Sequence, residues 1–159
     1  MLDELDRRIS EIEDVLDSLI KKNGYSYNEY AVLYSLGKTV DRDCTQKKIS
    51  EEWYIPKQTV YNICQELHKK GWIVFVQSQE DKREKNIRLT DVGRPYATEL
   101  FVKAESFSAV VLKKFGINKA QKLYELLDLL KDICKQEVEK LPAQHMIIKT
   151  RKRSKSLTQ

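Results

Sequence analysis

Lys57, Gln58, Tyr61, Asn62 and Gln65 recur at the spacing of one helical face, with Thr59 at its edge. Their ammonium, amide and phenol groups are the donors and acceptors that grip phosphate oxygens and read base edges in a DNA groove. Further along, Lys82, Arg83, Lys85 and Arg88 gather four cations, partly offset by Glu80, Asp81 and Glu84. Chemistry of the catalytic kind is not indicated. The five glycines are scattered singly rather than gathered in a phosphate loop, and no HExxH, GxSxG or paired-carboxylate arrangement occurs. The chain is therefore expected not to be an enzyme and to need no cofactor.

The elements that must hold these residues follow one another between Thr45 and Gly93. Thr45 is placed to cap a short helix over Gln46 to Trp53, and a break falls at Tyr54-Ile55-Pro56. A second helix is predicted from Pro56 or Lys57 to Lys70, because proline suits a first helical turn, where its missing N–H would be unpaired anyway. Gly71 behind Lys69 and Lys70 ends it with a left-handed turn. Val60, Ile63, Cys64 and Leu67 form its inward stripe. Trp72 to Gln77 and Lys85 to Leu89 then read as a hairpin with a charged tip at Ser78 to Glu84, Ile87 and Leu89 alternating against Asn86 and Arg88. Such a tip can simply keep an edge strand soluble. Directly after a helix-turn-helix it reads instead as a DNA-binding wing.

The flanks are helical. Leu2, Leu5, Ile9, Ile12, Leu16 and Leu19 alternate steps of three and four, and Leu123, Leu127, Leu130, Cys134, Val138 and Leu141 nearly repeat the pattern. These seams suit packing either within one chain or against a second copy. Ser26-Tyr27-Asn28-Glu29 is a capping box, and Tyr25, Tyr27, Tyr30 and Tyr34 cluster beside it, a stripe that also suits core packing.

Composition bounds the rest. The 159 residues suit one domain with helical extensions. Net charge is +5, yet Lys149, Arg151, Lys152, Arg153 and Lys155 account for all of it, leaving a neutral body. Local placement of charge must therefore carry any DNA binding, and the tail is either a mobile end or a source of extra phosphate contacts. No apolar run approaches the ~18 residues of a membrane span, and the N-terminus is acidic rather than signal-like, so the expected location is cytoplasmic. Cys44, Cys64 and Cys134 are too widely spaced for a disulfide or zinc framework. Cys44, beside Arg42 and Asp43, is expected to be the exposed one, which keeps a redox-sensing regulator as an alternative; Cys64 is expected in the core, and its spacing from His68 is a weak metal signal.

Thr45-Gln46, Lys57-Gln58-Thr59-Val60, the Gln65 to Ile73 ending, and Ser78 to Arg83 followed by Arg88-Leu89-Thr90 and Gly93 resemble the MarR-type winged helix-turn-helix regulators from Thr45 to roughly Leu100. Pro56, Tyr61 and Asn62 depart from the usual serine cap, serine and arginine, and Pro95 predicts a following helix that starts late or bends. The resemblance implies a mainly α fold with a small β-hairpin wing. It divides the chain into an N-terminal dimerisation helix (1–24), a winged domain (25–93, with recognition helix 56–70 and wing 72–89), C-terminal dimerisation helices (94–141) and a basic tail (142–159). It implies a homodimeric repressor on a double-stranded, pseudo-palindromic operator, in which Asp81 orients basic side chains and Arg83 enters the minor groove. It also implies a small aromatic or amphipathic effector near Tyr25, Tyr27, Tyr30 and Tyr34. A winged module serving protein contact alone is the competing reading.

Overall fold

A computed structural model describes residues 2–39, 44–77 and 85–141. In order, the elements are α1 (Leu2–Lys22), α2 (Tyr27–Lys38), β1 (Cys44–Thr45), α3 (Gln46–Trp53), α4 (Lys57–Lys69), β2 (Ile73–Gln77), β3 (Lys85–Leu89), α5 (Arg94–Phe115) and α6 (Ile117–Glu139). The chain divides into two compact units, residues 1–108 and 109–159. The fold is mainly helical, with a three-stranded antiparallel sheet in the order β1-β3-β2.

Within the first unit, the local signals act where the sequence puts them. Ser26 caps α2 and completes the box: its Oγ accepts from the Glu29 N–H, and its own N–H donates to Glu29 Oε2 at 3.0 Å. Thr45 Oγ1 accepts from the Lys48 N–H at 3.2 Å, fixing the start of α3. Val32, Leu33 and Leu36 of α2, Ile49 of α3, Val60, Cys64 and Leu67 of α4, and Ile73 and Ile87 of the sheet form one buried core. α4 thus presents its apolar stripe inward, with Ile63 only partly covered.

Three expectations are corrected. Cys44 is buried, not exposed, because it forms a strand and pairs with Ile87 of β3. Asn86 is buried as well: β3 is the central strand, and Thr45 and Val76 stand opposite Asn86 on its two sides, so alternation does not carry the amide into solvent. Of the two expectations for α5, the late start is the one overturned. The helix begins at Arg94, placing the proline in the first turn, where no helical N–H partner is lost.

The entry to α5 is built by Thr90 and Gly93. Thr90 Oγ1 donates to the Gly71 carbonyl at 2.6 Å and accepts from the Gly93 N–H at 3.1 Å, while the Thr90 N–H donates to the Trp72 carbonyl at 2.9 Å. Gly71, at φ +71°, supplies the left-handed residue that ends α4. A Cβ on Gly93 would lie 2.1 Å from the Trp72 carbonyl oxygen, and backbone cannot yield as a flexible side chain does. Gly93→Ala is therefore expected to cost about 3 kcal/mol. Urea denaturation should show a lower midpoint, and an unchanged midpoint would contradict this packing.

Candidate nucleic-acid interface

α4 is the element on which the candidate base-reading residues stand. Pro56 precedes it without a side-chain cap, and its carbonyl instead accepts from the N–H groups of Thr59 (2.9 Å) and Val60 (3.2 Å). Because Val60, Cys64 and Leu67 are drawn into the core, Lys57, Gln58, Tyr61 and Asn62 face solvent; Thr59 and Gln65 are half-buried at the edges. The structure therefore brings all six candidates onto one helix with the polarity expected. Gln58 Nε2 donates to Asn62 Oδ1 at 2.9 Å, which couples the two exposed amides and leaves the Asn62 NH2 and the Gln58 carbonyl outside that bond.

Charge is distributed unevenly along α4. At its C-terminal end Lys69 pairs with Glu66 at 2.8 Å, and Lys70 lies 5.3 Å over the Trp72 ring. Both cations there are engaged within the protein. Lys57 at the other end is exposed, as is Lys85 at the start of β3. Asp81, Lys82 and Arg83 lie outside the described residues, as does the basic tail. Lys47 and Lys48, exposed in the first turn of α3, are additional cations that the sequence reading passed over. Their position directly after the Thr45 cap was the available signal, since a helix N-terminus adds its own positive end to theirs.

The four candidate effector tyrosines divide. Tyr25 and Tyr30 line a cleft of about 170 Å³ together with Ile20, Tyr96, Glu99 and Lys103. Tyr27 and Tyr34 do not line it. Along with Tyr30 they surround Trp53, whose ring centroid is 6.0 Å from that of Tyr27 and 5.6 Å from that of Tyr34. Trp53 Nε1 donates to Ser35 Oγ at 2.9 Å. Tyr34 donates to Glu105 at 2.7 Å, and burial followed by that carboxylate pushes its phenol up to about 12. Burial also raises the Tyr25 and Tyr30 phenols, so both remain neutral donors facing the cleft at physiological pH. Tyr96 and Lys103 come from α5, which no local pattern in the sequence connects with Tyr25.

The comparisons agree with this geometry. The first unit is a winged helix-turn-helix, with a recognition-type helix next to a hairpin. A family model described as MarR family matches residues 23–84. NMB1585, a MarR family regulator from Neisseria meningitidis, is 36% identical over 87% of this chain and 96% of its own, with a TM-score of 0.75. Two structures solved with DNA share the fold. MepR of S. aureus has 21% identity over 84% of this chain and 98% of its own, TM-score 0.62. FabT of Streptococcus pneumoniae has 18% identity over 86% of this chain and 99% of its own, TM-score 0.64. Among curated proteins none matches the sequence. The chain belongs to the MarR family of winged-helix transcription regulators.

Two of the three thiols, Cys44 and Cys64, are buried, and Cys134 on α6 is exposed. Burial raises the Cys44 thiol, against the lowering effect of a Thr39 hydrogen bond and of Lys48, and it pushes Cys64 up to about 12. Neither forms appreciable thiolate at neutral pH. His68, four residues from Cys64, has Nδ1 2.9 Å from the Ile73 carbonyl and its ring tilted against Phe75, so it is engaged apart from the buried sulfur. Ellman's reagent at pH 8 is expected to leave Cys44 and Cys64 unlabelled in native protein and to reach both in guanidinium. Rapid native labelling of Cys44, mapped by mass spectrometry, would restore the redox reading.

Proposed function

We propose that this chain is a sequence-specific regulator that binds double-stranded DNA as a homodimer on a pseudo-palindromic operator, acting as a ligand-responsive repressor. One observation carries the reading. α4 turns an ordered polar face, Lys57, Gln58, Tyr61 and Asn62, away from a core that holds its other face fixed. Gln58, Thr59, Tyr61, Asn62 and Gln65 are assigned to base edges and Lys57 and Lys85 to phosphate. Arg83 and Lys82 are assigned to the minor groove and backbone, with Asp81 orienting them. The DNA-bound MepR and FabT structures support the assignment through fold alone.

Dimerisation is supported by apolar seams that the single chain leaves open. In α1, Leu2, Ile9, Ile12 and Leu16 are exposed, and in α6 so are Leu123, Leu127 and Val138. An effector of aromatic or amphipathic character fits the cleft at Tyr25, Tyr30 and Tyr96, with the Glu99 and Lys103 pair, 2.6 Å apart, supplying polar partners. Among the described residues no helix is long and apolar enough to cross a membrane.

Selection of bound fragments from random duplex DNA at fixed salt tests the proposal. The recovered sequences should share inverted half-sites about one helical turn, or ~34 Å, apart; fragments with no common sequence would leave only non-specific binding. Two substitutions separate the assigned roles. Asn62→Ala should relax base preference at one position of each half-site, costing about 1 to 3 kcal/mol against the preferred base. Arg83→Ala should weaken all sequences alike and lower the salt slope by about one unit. A uniform loss for Asn62→Ala would move that residue to the phosphate class.

A further inference from the structure

Neither burial nor backbone preference explains a tyrosine at position 54. Its side chain is 95% exposed, so the ring gains nothing from the core. Its φ is +53°, in the left-handed region that glycine adopts without steric cost, and among the described residues no other non-glycine residue is found there. Such a residue is held against local preference by its surroundings.

The mount is rigid. The N–H groups of Tyr54 and Ile55 both donate to the Ser50 carbonyl, the latter at 3.1 Å, and Ser50 Oγ donates to the Ile55 carbonyl at 2.7 Å. Ser50 and Ile55 are buried beneath the turn. The phenol thus projects from a clamped corner directly before Pro56 and the first turn of α4. On one side Trp53 packs among tyrosines and Ile55 enters the core; on the other, Lys57 and Gln58 are exposed and polar. A protein-docking patch requires contiguous apolar surface, and a single ring with polar neighbours does not supply it. A phenol bordering a DNA-reading helix offers what a nucleotide backbone takes: a flat apolar face for the sugar and a hydroxyl for a phosphate oxygen.

We propose that Tyr54 is a DNA-backbone contact. Its ring lies against a deoxyribose and its hydroxyl donates to a phosphate on the strand bordering the groove that α4 enters. The inference rests on the reading of α4 as a recognition helix. Because the contact is preset by the clamped turn, little side-chain or loop ordering is left for binding to impose.

Duplex fragments selected by the wild-type protein from random DNA are the probe. Tyr54→Phe is expected to weaken binding about tenfold, the scale of one hydrogen bond to a charged acceptor. The dependence of log affinity on log salt should keep its slope, since a neutral phenol releases no counterion. Tyr54→Gly is expected to raise Tm by relieving the left-handed residue while weakening binding at least as much, and those opposite signs rule out misfolding as the cause. Wild-type affinity in both variants overturns the contact. So does a Tyr54→Gly protein whose DNA affinity holds but whose assembly mass falls, which makes the ring a protein contact. A wild-type protein that retains no fragment overturns the recognition reading itself, and the role of Tyr54 with it, before any variant is compared.

Discussion

The clasp between Gly71-Trp72 and Thr90-Gly93 is the constraint on which the placement of α4 against the hairpin depends. One hydroxyl, Thr90 Oγ1, bridges the residue that ends α4 and the residue that begins the approach to α5. The Trp72 N–H closes back on the Leu67 carbonyl at 2.9 Å, and its own carbonyl accepts from Thr90. Each bond contributes about 1 kcal/mol net. Their joint effect is geometric: α4, both long strands and α5 leave a single knot of backbone, and the close approach at Gly93 admits no side chain. The angle between the polar face of α4 and the base of the hairpin is set there rather than by contacts at the face itself. Lys57, Gln58, Tyr61 and Asn62 stand exposed, outside that clasp and outside the core.

What the sequence made legible was whatever is decided within a few residues. The bounds of α3, the start of α4 at Pro56 or Lys57, its left-handed end at Gly71 and the Ser26 to Glu29 box all follow from caps and turn residues acting on their neighbours. The inward and outward faces of α4 were legible too, because helical periodicity and burial coincide there. The misses are non-local. A strand of two residues, Cys44–Thr45, carries no pattern of its own and exists because β3 offers it an edge; with it went the burial of Cys44 and Asn86. Tyr25 and Tyr30 were legible as aromatics, but their partners across the cleft, Tyr96 and Lys103, are set by the return of α5. Tyr54 was visible only as a break between helices. Its meaning depends on a φ value and an exposure that no residue type announces.

The exposed seams of α1 and α6 place a further constraint on the molecule in solution. Fully burying a single valine, leucine or isoleucine side chain is worth about 1.5 to 3 kcal/mol, so the five large apolar residues open on α1, Leu2, Ile9, Ile12, Val15 and Leu16, represent a driving force comparable to the net stability of a small domain. On the proposed homodimer a second copy of the chain would cover it, since the stripe runs in unbroken steps of three and four as helix-to-helix packing requires. Two-fold pairing would double the recognition surface. It would also turn the spacing between two α4 helices into a variable that DNA can select.

That spacing is what a small guest must alter if the regulator responds to one, and a guest that binds both arrangements equally shifts nothing. The cleft has a physical connection to α4. Tyr96, one of its walls, stacks on Trp72 with centroids 4.2 Å apart and planes 8° from parallel, and Trp72 belongs to the backbone clasp that terminates the helix. Lys70, the C-cap of α4, also lies over the Trp72 ring, 5.3 Å from its centroid. A guest displacing Tyr96 would therefore disturb the packing at the end of α4 directly, with no longer chain of contacts needed. A guest resting only on Tyr25 and Tyr30 would meet the wall formed by α2 and the residue before its cap, and leave that stack in place. The difference lies in which wall the guest moves, and affinity for the cleft alone does not decide it.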